Sequence, residues 1–454
     1  MDHARSTDPA VQAQLDRLWA RSPGADVLGL ERITALLAAL DDPHRAMPPV
    51  FHVAGTNGKG STCAFLRAGL EAAGYRVHAY TSPHLVRFNE RIRLAGTLIG
   101  DPALAPLLAE VLDAAEAARI GASFFEITTA AAFLAFARTP ADACVIEVGL
   151  GGRLDATNVI DAPLVTGIAQ LGVDHEAFLG SDPVGIAREK AGIAKAGAPL
   201  VTMDYPPSIN EAIEHAAASA GALLLRQGRD WNWRNDVANQ RILVSNSRTH
   251  THLLEKSPVA PGEVSLPLPM LAGEHQHANL ALAAAMLRAQ RHLPVSDGAL
   301  NAAAAARWPA RMQLLRQGPL TDSLPSGSRV WLDGGHNAAA ADALAHAVAA
   351  VAPGAGVDVV IGMLANKDSS TLIEGLAPHA RSVTAVPVPD HAHHAPEELA
   401  RVARTAGIAG VSTAPGVASA LRSLANNGKS ATVLICGSLY LAGEVLVEND
   451  ELPD

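Results

Sequence analysis

The residues best suited to chemistry lie in one short stretch, Val50-Phe51-His52-Val53-Ala54-Gly55-Thr56-Asn57-Gly58-Lys59-Gly60-Ser61-Thr62. An apolar run there enters a glycine-rich turn and then a helix-forming segment. Gly55, Gly58 and Gly60 let the backbone turn its N–H groups onto phosphate oxygens, and the helix N-terminus adds a favourable field. Lys59 neutralises terminal phosphates, and Ser61 or Thr62 offers a hydroxyl to phosphate or magnesium. The spacing departs from the common Gly-x4-Gly-Lys-Ser/Thr form, because a glycine follows the lysine.

Other candidates are weaker when each is taken alone. Glu147 ends an apolar run and opens the loop Val148-Gly149-Leu150-Gly151-Gly152-Arg153-Leu154-Asp155-Ala156-Thr157-Asn158. A carboxylate at such an edge holds a hard cation bridging phosphates, and serves equally well as a cap or ion-pair partner. Lys190 lies on a helical segment followed by small residues. A partly desolvated amine loses its proton and reacts, whereas residue type alone favours a solvated lysine or one paired with Glu189. His175 by itself reads as an ordinary hydrogen-bonded histidine.

Asp333-Gly334-Gly335-His336-Asn337 sits between a strand-like run and a helical one, at the carboxyl edge where open α/β sheets bind ligands. Helix capping by Asp333 and Asn337 is compatible with that. The pair Phe124-Phe125 suits a ligand wall or, more commonly, a core. Asp390-His391-Ala392-His393-His394 is proline-flanked and reads as a solvated loop rather than a metal site.

The elements that position these residues follow from periodicity. Val50–Val53, Val77–Tyr80, Ala143–Val148 and Leu164–Ile168 are short apolar runs alternating with amphipathic stretches, the pattern of βα units around a largely parallel sheet. Between Arg226 and Pro269, with Trp231 and Trp233, the pattern turns to a peripheral β-rich segment. A helix around Ala278–Arg291 is followed by His292-Leu293-Pro294-Val295-Ser296-Asp297-Gly298, which has the residues of a connection. The domains are therefore set at 1–295 and 296–454. Beyond the connection, Val330–Asp333, Val357–Ile361, Val383–Val386 and Thr432–Cys436 alternate with helical segments such as Ala338–Val351. The fold class is α/β: an N-terminal phosphate-loop ATPase-type domain with a largely parallel sheet, then a smaller Rossmann-like α/β domain.

Composition narrows the function. At 454 residues the chain exceeds one hydrophobic core. Its formal net charge of -10, without a Lys/Arg-rich run, excludes the electrostatic footprint of a nucleic-acid binder. Cys63, Cys144 and Cys436 are far apart, with no Cys-x-x-Cys pair for zinc or redox work, and read as reduced and structural. The polar start Met1-Asp2-His3-Ala4-Arg5 lacks a signal core, and charges break the alanine-rich stretches short of a membrane span. A soluble cytoplasmic protein is expected.

The phosphate turn, Ser82-Pro83-His84-Leu85, Asn89-Glu90-Arg91-Ile92, the Gly149–Asn158 run, Asp174-His175, Leu179-Gly180 and Glu189-Lys190-Ala191-Gly192-Ile193 together resemble the dihydrofolate synthase/folylpolyglutamate synthase branch of the Mur-ligase superfamily. The match continues through Gly273-Glu274-His275-Gln276-His277-Ala278-Asn279, Gly362–Asp368 and Cys436–Glu444. In the family, Asp333–Asn337 usually reads Asp-x-Ala-His-Asn and Pro309-Ala310-Arg311 reads Pro-Gly-Arg; here Gly335 and Ala310 differ.

The resemblance implies an ATP-dependent ligase joining L-glutamate to dihydropteroate, or to the glutamate tail of folates, through an acyl phosphate. It implies magnesium at two sites, with Ser82 and Glu147 at one and His175 at the other, and a carbamylated Lys190 as a further ligand. Catalytic roles fall to Lys59, Glu147, His175, Lys190 and His336. ATP contacts fall to Gly55, Thr56, Asn57, Gly58, Lys59, Gly60, Ser61, Thr62, Asn279, Arg311 and Asp333. The acceptor pocket takes Gly29, Arg32, Phe125, Thr128, Leu154, Asp155 and Ala156. A monomer is implied. An enzyme restricted to one acceptor, a Mur-type ligase with another acceptor and an ATPase switch stay open beside this reading.

Overall fold

Parallel strands covered on both faces read as near-continuous apolar runs, and β1 (Val50–Ala54) is buried at every position. The computed structural model describes residues 5–21, 28–246, 262–354 and 356–454. Around β1 lie β2 (Val77–Tyr80), β3 (Ile92–Leu94), β4 (Thr97–Leu98), β5 (Ala143–Glu147), β6 (Val165–Ile168), β7 (Pro199–Thr202) and β8 (Leu223–Arg226). They form an eight-stranded sheet in the order β4-β3-β2-β5-β1-β6-β7-β8. The run from β2 to β8 is parallel, and β3 and β4 add an antiparallel edge. The strands foreseen from sequence are present. β8, whose Leu223-Leu224-Leu225 run is only half-buried at the edge, was not among them.

Helices cover both faces. Pro9–Arg21, Glu31–Ala39, Asp101–Ala117 and Phe124–Arg138 pack with Tyr80, Cys144 and Ile146 into one core. Pro183–Ala191 and Pro207–Ala220 pack with Ala54, Val148 and Ile168 into another. Helix Phe124–Arg138 starts at a capping box, in which Ser123 Oγ accepts from Glu126 N–H and the Glu126 carboxylate accepts from Ser123 N–H. The β-rich segment forms a three-stranded antiparallel sheet of β9 (Trp231–Asp236), β10 (Arg241–Asn246) and β11 (Glu263–Pro267); residues 247–261 of that segment lie outside the described residues.

The second unit has a six-stranded sheet of β12 (Gln313–Leu314), β13 (Arg329–Leu332), β14 (Val357–Ile361), β15 (Ala380–Ala385), β16 (Gly410–Thr413) and β17 (Thr432–Cys436), in the order β12-β13-β17-β14-β15-β16. All pairs are parallel except β12 with β13. Both sheets thus realise the expected α/β class. Among the described residues, no helix is long and apolar enough to cross a membrane.

Contacts assign the residues up to Met270 and His277–Ala306 to the first unit, and Leu271–Gln276 and Arg307–Asp454 to the second. The sequence put the boundary after Val295; contacts put it after Ala306. The reason is packing: helix Asp297–Ala303 lies on helix Lys59–Ala72, beside helix Glu274–Arg288. Gly69 permits this approach, since a Cβ there would stand 2.8 Å from Leu287 Cδ1 and 3.5 Å from Ala303 Cβ. Gly69→Val should therefore destabilise the first unit by about 1–3 kcal/mol through overpacking. Calorimetry should show that unit's unfolding moving to lower temperature while the second unit's stays.

Candidate active site

The phosphate loop follows β1 at the sheet's topological switch, where β5 and β6 flank it on opposite sides. Thr56 and Asn57 N–H donate to Gln170 C=O at 2.8 and 3.2 Å, and Thr56 Oγ1 donates to Gly172 C=O at 2.8 Å. These bonds pin the turn to the segment leaving β6. Gly58 has φ 80°, a left-handed conformation that costs glycine little. A Cβ at Gly58 would lie 2.4 Å from Asn279 Oδ1, so helix Glu274–Arg288 brings Asn279 onto the loop. Ser61 and Thr62 open helix Lys59–Ala72, their hydroxyls buried with no hydrogen-bond partner in the structure. Lys59 Nζ folds back to Thr56 C=O at 3.3 Å.

Glu147 is buried at the end of β5, and its Oε2 accepts from Ser82 N–H at 3.2 Å, so the structure brings these two together. The loop bearing Ser82 is held by Glu90, whose carboxylate accepts from Leu85, Val86 and Arg87 N–H at 2.8, 2.9 and 2.6 Å. His175 stands on an exposed turn with φ 54° and donates its N–H to Asp174. Among the described residues, no three His, Cys, Asp or Glu side chains gather as a metal set.

Lys190 is neither solvated nor paired with Glu189. Glu189 bonds Arg153 at 2.8 Å, while Lys190, 4% exposed, donates from Nζ to Gly55 C=O at 3.1 Å. Its pKa is lowered to about 7, first by burial and then by the charge of Lys59, against the opposing pull of Asp174 and Asp155. Close approach makes this possible: a Cβ on Gly152 would lie 2.7 Å from Glu189 C=O and 2.8 Å from Lys190 C=O. Asp182 caps the helix that carries the amine, accepting from Val184 and Gly185 N–H.

The acceptor-pocket candidates flank the same loop. Phe125 lies over Gly149, where a Cβ would come within 2.3 Å of its ring, and 6.0 Å from the Tyr80 ring. Arg32 donates from Nε to Glu126 Oε2 at 3.0 Å. Gly29 precedes helix Glu31–Ala39, which carries Arg32. Thr128 is fully buried and bonds Phe125 C=O and the Tyr80 hydroxyl. Asp155 is buried and accepts Leu150 N–H at 2.8 Å, closing the glycine-rich turn; Ala156 joins the core and Leu154 is half-buried.

In the second unit the loops after β13, β14 and β17 meet. Gly437 N–H donates to Gly335 C=O at 3.1 Å, and a Cβ on Gly437 would lie 2.6 Å from Gly362 C=O. Asp333 does not cap a helix: its oxygens accept from Met312 N–H and Gly335 N–H, each at 2.7 Å. This holds the Arg311 guanidinium against Gly334, whose Cβ would lie 3.1 Å from Nη1. Asn337 does cap, accepting from Ala340 N–H at 2.9 Å. His336 Nδ1–H donates to Gly334 C=O at 2.8 Å. Ala310 adopts φ 52° at the position where the resembled family carries glycine.

The histidine cluster lies on a partly exposed loop, as expected, and its side chains brace that loop. His391 stacks on Tyr440 at 3.9 Å, and His394 bonds Lys367 C=O at 2.8 Å and Glu398 at 3.2 Å. The three cysteines are buried thiols.

The chain is 36% identical over 427 residues to the dihydrofolate synthase/folylpolyglutamate synthase of Escherichia coli (strain K12), covering 92% of this chain and 90% of that one. The chain belongs to the dihydrofolate synthase/folylpolyglutamate synthase family. A family model described as dihydrofolate synthetase, C-terminal domain, matches residues 320–448. Escherichia coli FolC in complex with DHPP and ADP superposes with a TM-score of 0.82 at 33% identity, covering 97% of each chain. A bifunctional folylpolyglutamate synthase/dihydrofolate synthase with Mn, AMPPNP and L-glutamate bound gives 0.80 at 31% identity, covering 98% of this chain and 99% of that one. Membership makes the chain an ATP-dependent acid–amino-acid ligase.

The donors present fit such a ligase. The orphaned Ser61 and Thr62 hydroxyls and the Glu147 carboxylate beside Ser82 are hard oxygen donors of the kind magnesium takes. Sequence reasoning overlooked Glu126, which orients Arg32; the Ser123-x-x-Glu126 spacing of a capping box was the available signal. It also assigned no role to Glu90.

Gly58→Ala should weaken ATP binding roughly tenfold, since a left-handed alanine costs about 1–2 kcal/mol; titration calorimetry with an ATP analogue checks this. The depressed Lys190 pKa carries a pH signature. The unfolded chain keeps this proton up to the ordinary lysine range and the folded chain releases it near pH 7, so stability rises with pH between those values. Lys190→Met should gain most over the parent below pH 7, and the gain should shrink as pH rises. Denaturant unfolding in metal-free, CO2-free buffer at pH 6 and pH 9 measures it.

Proposed function

We propose that the chain catalyses ATP-dependent addition of L-glutamate both to dihydropteroate and to the tail of reduced folates, and that it acts as a cytoplasmic monomer. The observation that carries the reading is the buried Lys190 amine bonded to the phosphate loop, in a unit where Glu147 and Ser82 are also in contact. The bifunctional Escherichia coli relative, matched along nearly its whole length, supports both acceptors.

In this reading Lys59 and the N–H groups of residues 55–62 hold the phosphates of ATP, Asn279 contacts its adenosine, and Arg311 and Asp333 are nucleotide-binding residues. The acceptor carboxylate attacks the γ-phosphate to give an acyl phosphate and ADP. The glutamate amine then displaces phosphate, with His336 facing the reacting groups. Gly29, Arg32, Phe125, Thr128, Leu154, Asp155 and Ala156 orient the pterin. Ser82 and Glu147 hold one magnesium ion and His175 serves a second; when bound, these ions neutralise phosphate charge. Lys190 adds CO2 to its neutral amine, and the carbamate supplies the carboxylate missing from the donor set. Its burial and a pKa of about 7 favour that reaction.

Purified protein given ATP, magnesium and glutamate should release ADP only when dihydropteroate or tetrahydrofolate is added, with a matching amide product by mass spectrometry. ADP release without an acceptor would favour the ATPase switch instead. Lys59→Ala should lower kcat roughly 10²–10³-fold, as expected for removing one donor to the transferring group. Labelled bicarbonate should give a carbamate carbon signal by NMR that Lys190→Met lacks.

A further inference from the structure

β1 carries one polar side chain inside its buried run, His52. Its Nε2 lies 2.8 Å from Thr157 Oγ1. Thr157 has a single hydroxyl proton and donates it to Asp155 Oδ1, so the imidazole is the donor in the first pair. Burial holds the ring neutral, with its pKa lowered to about 3. Nδ1 is therefore the bare nitrogen, and it is buried with no hydrogen-bond partner in the structure.

Asp155 is the next link. Its Oδ1 also accepts Thr157 N–H at 3.0 Å, and its Oδ2 accepts Leu150 N–H at 2.8 Å. Burial raises the pKa of this carboxyl, and the bonds from Thr157 and the loop backbone pull it back down. The Thr157 hydroxyl thus helps keep Asp155 an acceptor, which is what the closed turn requires.

A buried imidazole with one nitrogen unpartnered fills a strand position at a cost that a hydrocarbon side chain avoids. What the histidine adds is its bond to Thr157. We propose that His52 is a positioning residue for the acceptor loop: through Thr157 it fixes the Asp155 carboxylate, and with it the turn carrying Leu154, Asp155 and Ala156. This rests on the reading of those three residues as part of the pteroate pocket. The strand that presents the phosphate loop then also braces the loop for the other substrate.

The test uses the full chain with His52→Leu, His52→Gln, Thr157→Val and Thr157→Ser, measuring KM for dihydropteroate and for ATP beside the melting temperature. Glutamine can offer an N–H near the position of Nε2; leucine cannot. His52→Leu should raise KM for dihydropteroate about three- to tenfold, the scale of one neutral hydrogen bond. KM for ATP should stay within about twofold and the melting temperature should not fall; His52→Gln should restore most of the loss. Thr157→Val, which removes the bond to Asp155 directly, should raise the same KM and Thr157→Ser should not; should His52→Leu fail to fold, His52→Met, equally unable to donate, takes its place. Equal shifts in both KM values, or leucine and glutamine variants that behave alike, would overturn the proposal and leave His52 a packing residue. Wild-type turnover of dihydropteroate tests the functional reading, whereas the ratio of variant to wild type tests the hydrogen-bond chain alone.

Discussion

One buried amine sets the terms for the first unit. Taking a lysine out of water is tolerable only if its charge is lost or its N–H groups are satisfied, and Lys190 answers through Gly55 C=O. That bond joins the end of helix Pro183–Ala191 to the mouth of the phosphate loop. It also dictates the glycines around it, because the helix can come this near only if Gly152 and Gly192 carry no side chain. The loop between β5 and β6 must then fold under the helix, which brings Arg153 to Glu189 and Asn158 to Gly192 C=O.

Three acids shape the loops by holding backbone N–H groups. Glu90 collects the N–H groups of one loop, Asp155 closes a second, and Asp333 spans two segments of the second unit. Each removes an acceptor from solvent and spends it on N–H groups that a tight turn would leave unpaired. Rigid loops follow, and rigid loops keep reacting groups in register.

Much of this was legible in the sequence. The phosphate loop, the central strands and helix Ala338–Val351 announce themselves by glycine spacing and by period, and the structure has them where they were expected. β8 was not singled out because the short run Leu223-Leu224-Leu225 follows directly on helix Pro207–Ala220, and period alone does not separate a short apolar run from the end of a helix. Lys190 was legible only as a residue worth watching: its burial depends on a strand, a loop and a helix far apart in the chain, which no local window contains. The histidine cluster was legible as a loop, but not the contacts that engage it, since Tyr440 and Lys367 are distant in sequence.

The path of the chain has a consequence for modularity. After Met270 it lends Leu271–Gln276 to the second unit, returns as His277–Ala306, and only then leaves for good. The returning stretch carries Asn279, which the phosphate loop abuts at Gly58. The two units are therefore not cassettes that recombination could exchange at a single joint. A crossover at the first passage would strip the phosphate loop of the helix packed on it, and one at the second would carry a strip of the neighbour along.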